Sequence, residues 1–273
     1  MLYYTYLFNI TYDIYVLCFI IIPLPLIIDR LHRTGGENMN RENQLADSIK
    51  EGLIAALPLI FGFFPVAMAF GLLAKNVGIS LQDTGLFSVM VFAGASQFMA
   101  LDMIKDGISA GSIILATFLL NLRHFIMSAS LSVRLQGIKK HWLFVIAFGI
   151  TDEAFSLISL RNRTLDIPFL LTLQIIPYFS WVAGTIAGYL VGTMLPETVQ
   201  LSLGVGLYAM FMALLAPEIK KSFSVLFLAV MSGIFYLVGS HFKLLPPSWC
   251  FIAAVILAAG IGAFLIKEQE VSP

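Results

Sequence analysis

Apolar residues in this chain come in long unbroken runs, not in one-sided stripes. The runs cover residues 52–74, 85–104, 108–133, 142–160, 168–195, 199–216, 223–240 and 248–266. About 20 such residues span the hydrocarbon core as a helix, at ~1.5 Å per residue. Strands of a membrane barrel would alternate between apolar and polar positions instead. Helices also satisfy their own backbone groups in lipid. The pattern therefore predicts an all-α, polytopic helical membrane protein with eight hydrophobic segments, six to eight of them true spans. They form a single transmembrane domain over 52–266, followed by a short tail at 267–273.

Residues 1–28 make another apolar run, rich in Tyr and Ile, and residues 29–51 are polar. Three readings of this run stand: an extra helix, an uncleaved signal-anchor, or a misplaced coding start. It lacks the positive n-region and small-residue cleavage site of a signal peptide. The third reading is favoured. Translation from Met39 would give Met-Asn-Arg-Glu-Asn-Gln, an amphipathic, cytoplasmic lead-in at 39–51, and leave 1–38 as an extension.

Charge placement tests the span count, because Lys and Arg concentrate in short cytoplasmic loops. With a cytoplasmic N-terminus and eight full crossings, the basic loop holding Arg134, Lys139 and Lys140 falls on the wrong side. If 85–104 and 142–160 instead dip in and return, only Lys75, Lys105 and Lys243 remain outside. Those two runs also resemble each other. Offset by 56 positions, Phe92-Ala-Gly-Ala-Ser96-Gln97 lies over Phe148-Gly-Ile-Thr-Asp152-Glu153. An inverted repeat with broken or re-entrant segments at 85–104 and 142–160 follows, a recurring transporter plan. The alternative is eight ordinary spans with one loop breaking the charge rule.

Composition agrees with the membrane assignment. The chain is 59% hydrophobic and only 12% charged, with a mean hydropathy of +0.91, which leaves too little polar surface for a soluble domain. A net charge of zero gives no electrostatic case for nucleic acid. Cys18 and Cys250 both sit in apolar runs and read as structural thiols; no metal site and no cofactor is expected.

Candidate chemistry lies in the polar residues that interrupt the runs. Ionised groups at the bilayer centre cost about 2.5–3.5 kcal/mol on insertion scales and mark solute, ion or proton pathways. Thr117, Asn121, His124 and Ser128 recur at helical spacing and form one polar stripe. Arg123 points elsewhere, roughly 100° from His124. It needs its own partner, Asp152 or Glu153. That pairing serves either as a structural salt bridge or in solute recognition, since Arg can hold a carboxylate through two parallel bonds. His124 is either a proton carrier or a hydrogen-bonded side chain. Asp152 and Glu153 are adjacent acids: either one of them is protonated, which would suit proton coupling, or both are solvated in a vestibule.

Pro58, Gly62 and Pro65 share a helix face. The prolines free the carbonyls of Ile54 and Phe61, which gives either a hinge with an unwound binding segment or a simple kink. Gly94, Ser96 and Gln97 offer close backbone approach and an amide, for binding or for interhelical bonding. Gly184, Gly188 and Gly192 repeat at every fourth position and favour close helix packing. Pro177 is expected to kink or restart that helix.

Four of these patterns, in order, resemble the AzlC-type branched-chain amino acid permeases, also called azaleucine-resistance or LIV-E exporters. They are Leu57-Pro58-x3-Gly62-x2-Pro65 with Phe70-Gly71-x2-Ala74, Phe92-Ala-Gly-Ala-Ser96-Gln97-Phe98, Asn121-Leu-Arg123-His124 and Thr151-Asp152-Glu153. The resemblance runs from about Ile49 to Ile266 and leaves out 1–38. It implies proton-driven export of leucine, isoleucine and valine across the cytoplasmic membrane, with a small AzlD-type membrane partner. Placed on these positions, Arg123 or a helix N-terminus would hold the substrate carboxylate. Asp152 or Glu153 would take the amine or a proton, and Ser96, Gln97 and Asn121 would hydrogen-bond.

Two other functions compete with a secondary transporter. One is a channel or structural subunit that needs a partner. The other is an intramembrane hydrolase using Ser96 and His124, for which no oxyanion framework is evident. No Gly-x4-Gly-Lys-Ser/Thr motif supports an ATP-driven pump.

Overall fold

Every apolar run between 52 and 266 becomes helical, and two of them break at their midpoints. In a computed structural model, which describes residues 38–161, 165–243 and 247–265, the order is as follows. The long helix α1 (Asn38–Val77) leads into the pair α2 (Leu81–Met90) and α3 (Gly94–Lys105). Helix α4 (Ala110–Ser132) leads into a second pair, α5 (Lys140–Phe148) and α6 (Asp152–Leu160). Then come α7 (Ile167–Val191) with a 3-10 turn (Gly192–Met194), α8 (Glu197–Lys221), α9 (Phe223–His241) and α10 (Pro247–Leu265). No strand occurs among the described residues. Among the described residues, four stretches are long and apolar enough to cross a membrane: Leu45–Val77, Ala110–Ser132, Ile167–Met194 and Phe223–His241. The N-terminal extension and the tail lie outside the described residues.

The breaks have local causes. Val91 and Ala93 are non-helical, with ψ of 101° and 83°, so Val91-Phe92-Ala93 separates α2 from α3. Gly149 and Thr151 do the same between α5 and α6. Thr151 then restarts the helix as its N-cap, its Oγ1 accepting from the Ala154 amide at 3.2 Å. At the end of α1 the chain turns through Gly78, whose φ of +89° suits glycine.

Each broken pair is a hairpin that returns to the end it entered from. Ile79, just before α2, and Ile104, at the end of α3, pack with Ala74 and Val77 at the C-terminal end of α1. Trp142, at the start of α5, and Ile158, near the end of α6, pack instead with Ala56, in the N-terminal half of α1, and Phe169, at the beginning of α7. Helix α4 joins the two ends. Its Ile113 meets Ala100 and Met103 of the first hairpin, and its Leu131 meets Ile158 and Phe169. The second long helix and its hairpin thus invert the first, with each hairpin packed at its own end of the bundle.

The sequence offset needs one correction. Gly94, not Ser96, takes the place of Asp152, because each opens its half-helix.

Helices α1 and α7 run parallel in close contact. A Cβ on Gly184 would lie 2.7 Å from the Phe64 carbonyl oxygen, and one on Gly188 would collide with the Met68 backbone. The contact is reciprocal, since a Cβ on Gly71 would strike the Thr185 carbonyl. Gly192 backs onto Leu72 at 3.0 Å. The small-residue repeat therefore serves internal packing in this chain.

The proline-rich face of α1 does not unwind. The helix is continuous through Pro58 and Pro65, Pro58 is exposed, and nothing lies within 4 Å of a Cβ on Gly62. This face looks away from α7, which braces the other side of α1 along its length and keeps it helical. Helix α7 likewise continues through Pro177.

Candidate functional site

The tips of the two hairpins meet halfway along α1, α4 and α7. Between them is a cavity with about 360 Å³ of empty space, its open mouth included. Its enclosed part is only about 30 Å³, room for a water or two, so the tips must part to admit an amino acid. The first tip contributes Phe92, Ala93, Gly94 and Ala95, and the second contributes Thr151, Asp152 and Glu153. Helix α4 adds Arg123 and His124, α1 adds Phe63, and α7 adds Trp181. The ionisable groups of the third and fourth apolar runs therefore converge on one chamber.

Arg123 Nη1 lies 2.8 Å from Asp152 Oδ2, so the arginine pairs with Asp152. Both side chains keep 29% of their surface exposed, while Glu153 is buried. The polar stripe of α4 divides. Thr117 donates to the Ile113 and Ile114 carbonyls of its own helix, and Asn121 Nδ2 donates to Ser96 Oγ at 3.2 Å. His124 reaches the cavity. Ser96 Oγ in turn donates to the Ala93 carbonyl at 2.9 Å. Ser96 is thus bound within the first tip and to Asn121, and the contacts described for it do not make it a nucleophile activated by His124.

The two tips differ electrically. Helix α6 begins with a side-chain cap and two acids in its first turn, which offset the positive end of its dipole. Helix α3 begins with no side-chain cap and no acid. Its first-turn residues Gly94 and Ala95 border the cavity. A helix N-terminus in that state favours an anion.

The break in each hairpin also strands carbonyls at the end of the preceding half-helix. Helix α7 meets both. Tyr178 Oη donates to the Val89 carbonyl at 2.8 Å, and Gln174 Nε2 donates to the Ile146 carbonyl at 3.0 Å. A further buried set ties the first hairpin to α7. Gln97 Nε2 donates to Ser88 Oγ at 3.2 Å, and Ser88 and Thr185 share a hydrogen bond of 2.8 Å. Gln97 therefore sits behind the tip and outside the cavity lining, as a brace.

At its base the second hairpin is held by Arg134. It donates to the carbonyls of Ile158 (2.6 Å), Ser159 and Arg161, at the C-terminal end of α6. Arg161 pairs with Glu51 at 2.9 Å and stacks on the Phe169 ring.

Of the residues singled out from sequence, Gly94, Arg123, His124, Asp152 and Glu153 line the cavity. Ser96, Gln97 and Asn121 stand behind it. Pro58, Gly62 and Pro65 are outside the lining, as are Gly184, Gly188 and Gly192. Sequence reasoning missed Phe63, Trp181, Tyr178 and Gln174. A signal for the last two was present: Gln174 and Thr185 are polar residues in an apolar run, and Gln174, Tyr178, Trp181 and Thr185 follow helical spacing.

A sequence profile of the AzlC protein family matches residues 58–195, which hold all of the cavity lining. The chain is 37% identical over 175 residues to an uncharacterized membrane protein of Archaeoglobus fulgidus, covering 63% of this chain and 76% of the relative. It is 32% identical over 191 residues to the inner membrane protein YgaZ of Escherichia coli, covering 67% and 78% respectively. It is also 26% identical over 163 residues to the branched-chain amino acid transport protein AzlC of Bacillus subtilis, covering 57% and 62%. No solved structure matches the chain significantly.

Proposed function

The chain belongs to the AzlC family of membrane transport proteins, and on that premise we propose that it exports branched-chain amino acids, which bind where its two hairpin tips meet. One observation carries this reading. A single mid-length cavity combines an uncapped helix N-terminus, a carboxylate cluster and an aromatic wall. A zwitterion with an apolar side chain needs those three features. The substrate carboxylate binds the Gly94 and Ala95 amides of α3, with Arg123 as the mobile cation nearby. The ammonium group binds Asp152 or Glu153. The aliphatic side chain lies against Phe63, Phe92 and Trp181.

Because Arg123 already holds Asp152 at 2.8 Å, an arriving ammonium competes with it for the same oxygen. That exchange couples occupancy to the contact between α4 and the second tip. Proton coupling enters at Glu153 or His124, the remaining titratable groups of the lining. The basic end, with Arg134, Lys139, Lys140 and Arg161, faces the cytoplasm in this reading, and so does the N-terminus. An AzlD-type small membrane protein completes the transporter, as the family resemblance implies.

Radiolabelled leucine efflux tests the proposal, using cells with and without this gene and the small companion. Faster efflux that a proton uncoupler abolishes is the expected result. Efflux that depends on neither the gene nor the proton gradient refutes it.

A further inference from the structure

Resting on the amino-acid transport reading, we propose that Trp181 and Phe63 set the substrate's size limit, with Gly94 fixing the distance from the carboxylate anchor to the wall. The contact between Gly94 and Trp181 carries this inference. A Cβ on Gly94 would lie 2.8 Å from Trp181 Cη2 and 3.4 Å from Cζ2. The first-turn backbone of α3 is therefore pressed against the indole, with no side chain between them. A carboxylate seated on that backbone has the ring immediately beside it. Little depth is left for the group attached to the α-carbon.

The wall is stiff. Phe63 meets Trp181 edge to face with centroids 5.9 Å apart, and meets Phe92 in the same manner at 5.8 Å. Phe92 meets Tyr178 at 5.4 Å, and Tyr178 is tied to the Val89 carbonyl. Trp181 is 2% exposed and Phe63 is 4% exposed. Interlocked aromatic rings of this kind cannot slide aside as a methionine would. Such a wall reads shape, favouring a compact branched aliphatic chain over a benzyl group. The indole Nε1 of Trp181 also finds no acceptor on the protein.

The test is a competition assay in proteoliposomes or cells containing the protein and its small companion. Leucine and phenylalanine transport are measured for the parent chain, Trp181→Phe, Phe63→Leu and the packing variant Gly188→Leu. Each variant is first checked for insertion in the membrane. Removing one ring from the wall should raise the phenylalanine-to-leucine ratio about tenfold in either wall variant, since a few carbon atoms in an apolar pocket discriminate at that order. Gly188→Leu should slow both substrates and leave the ratio alone. An unchanged ratio in both wall variants overturns the inference while the transport reading survives. A parent chain that moves no amino acid overturns the transport reading itself.

Discussion

Arg123 and Asp152 pair with each other beside the cavity, and in the proposed function the substrate uses both. Each partly neutralises the other at a depth where a lone charge is costly, yet both keep contact with the cavity. A hydrogen bond to a charged group contributes about 1.5–3 kcal/mol, a factor on the order of ten to a hundred. Asp152→Asn should therefore lower leucine export by about that factor, with normal protein levels in the membrane, as efflux and immunoblotting together will show. The exchange of Arg123 for Ala should do likewise. Native export in both variants would remove these residues from the site.

Tyr178 makes a different prediction. Tyr178→Phe leaves the Val89 carbonyl without its donor and should lower stability by about 1 kcal/mol, read by thermal unfolding in detergent. At this scale the sequence was legible where charged or clustered polar residues broke an apolar run, and the isolated Gln174 and Thr185 were passed over. Arg123 required an acid, and the neighbouring run offered only two. Phe63 and Trp181 were not legible, because an aromatic ring in an apolar run looks the same on a wall as in a core.

Among the elements, the contact between α1 and α7 is the frame on which both hairpins hang. It depends on glycine at the points where backbones touch. Gly188→Leu drives a side chain into the Met68 backbone and must push the helices apart. Overpacking of this kind costs about 1–3 kcal/mol, so the melting temperature in detergent should drop clearly below that of the parent chain. Gly62→Ala, on the open face of α1, should leave it unchanged.

The glycine repeat was readable from its spacing, but its partner was not, because nothing along α7 names α1. The prolines of α1 suggested unwinding that occurs elsewhere. Proline removes one hydrogen bond from a helix, and a braced helix absorbs the loss. The actual breaks come where non-helical residues meet the start of a new half-helix, at Val91-Phe92-Ala93 and at Gly149-Ile150-Thr151. Charge placement and the short internal similarity did point to these two runs. The register slipped by two residues because backbone position, not side-chain polarity, is what repeats.

Taken whole, the chain places its two hairpins at opposite ends of the bundle with their tips meeting in the middle. That arrangement predicts a definite pattern of accessibility. With Cys18 and Cys250 replaced, single cysteines at Asp83 and Asp106 should react with an impermeant thiol reagent from one side of the membrane. Cysteines at Lys139 and Arg161 should react from the other. Eight plain crossings would put positions 83 and 106 on opposite faces.

The central claim is that the substrate occupies the space between the tips. Ala95 borders that space and lies one residue past the start of α3. The most direct measurement is the alkylation rate of Ala95→Cys in the otherwise cysteine-free protein with its companion, with and without leucine. Leucine should slow alkylation several-fold in a concentration-dependent way, and glutamate should not. Alkylation at the same rate whatever the leucine concentration would contradict the account.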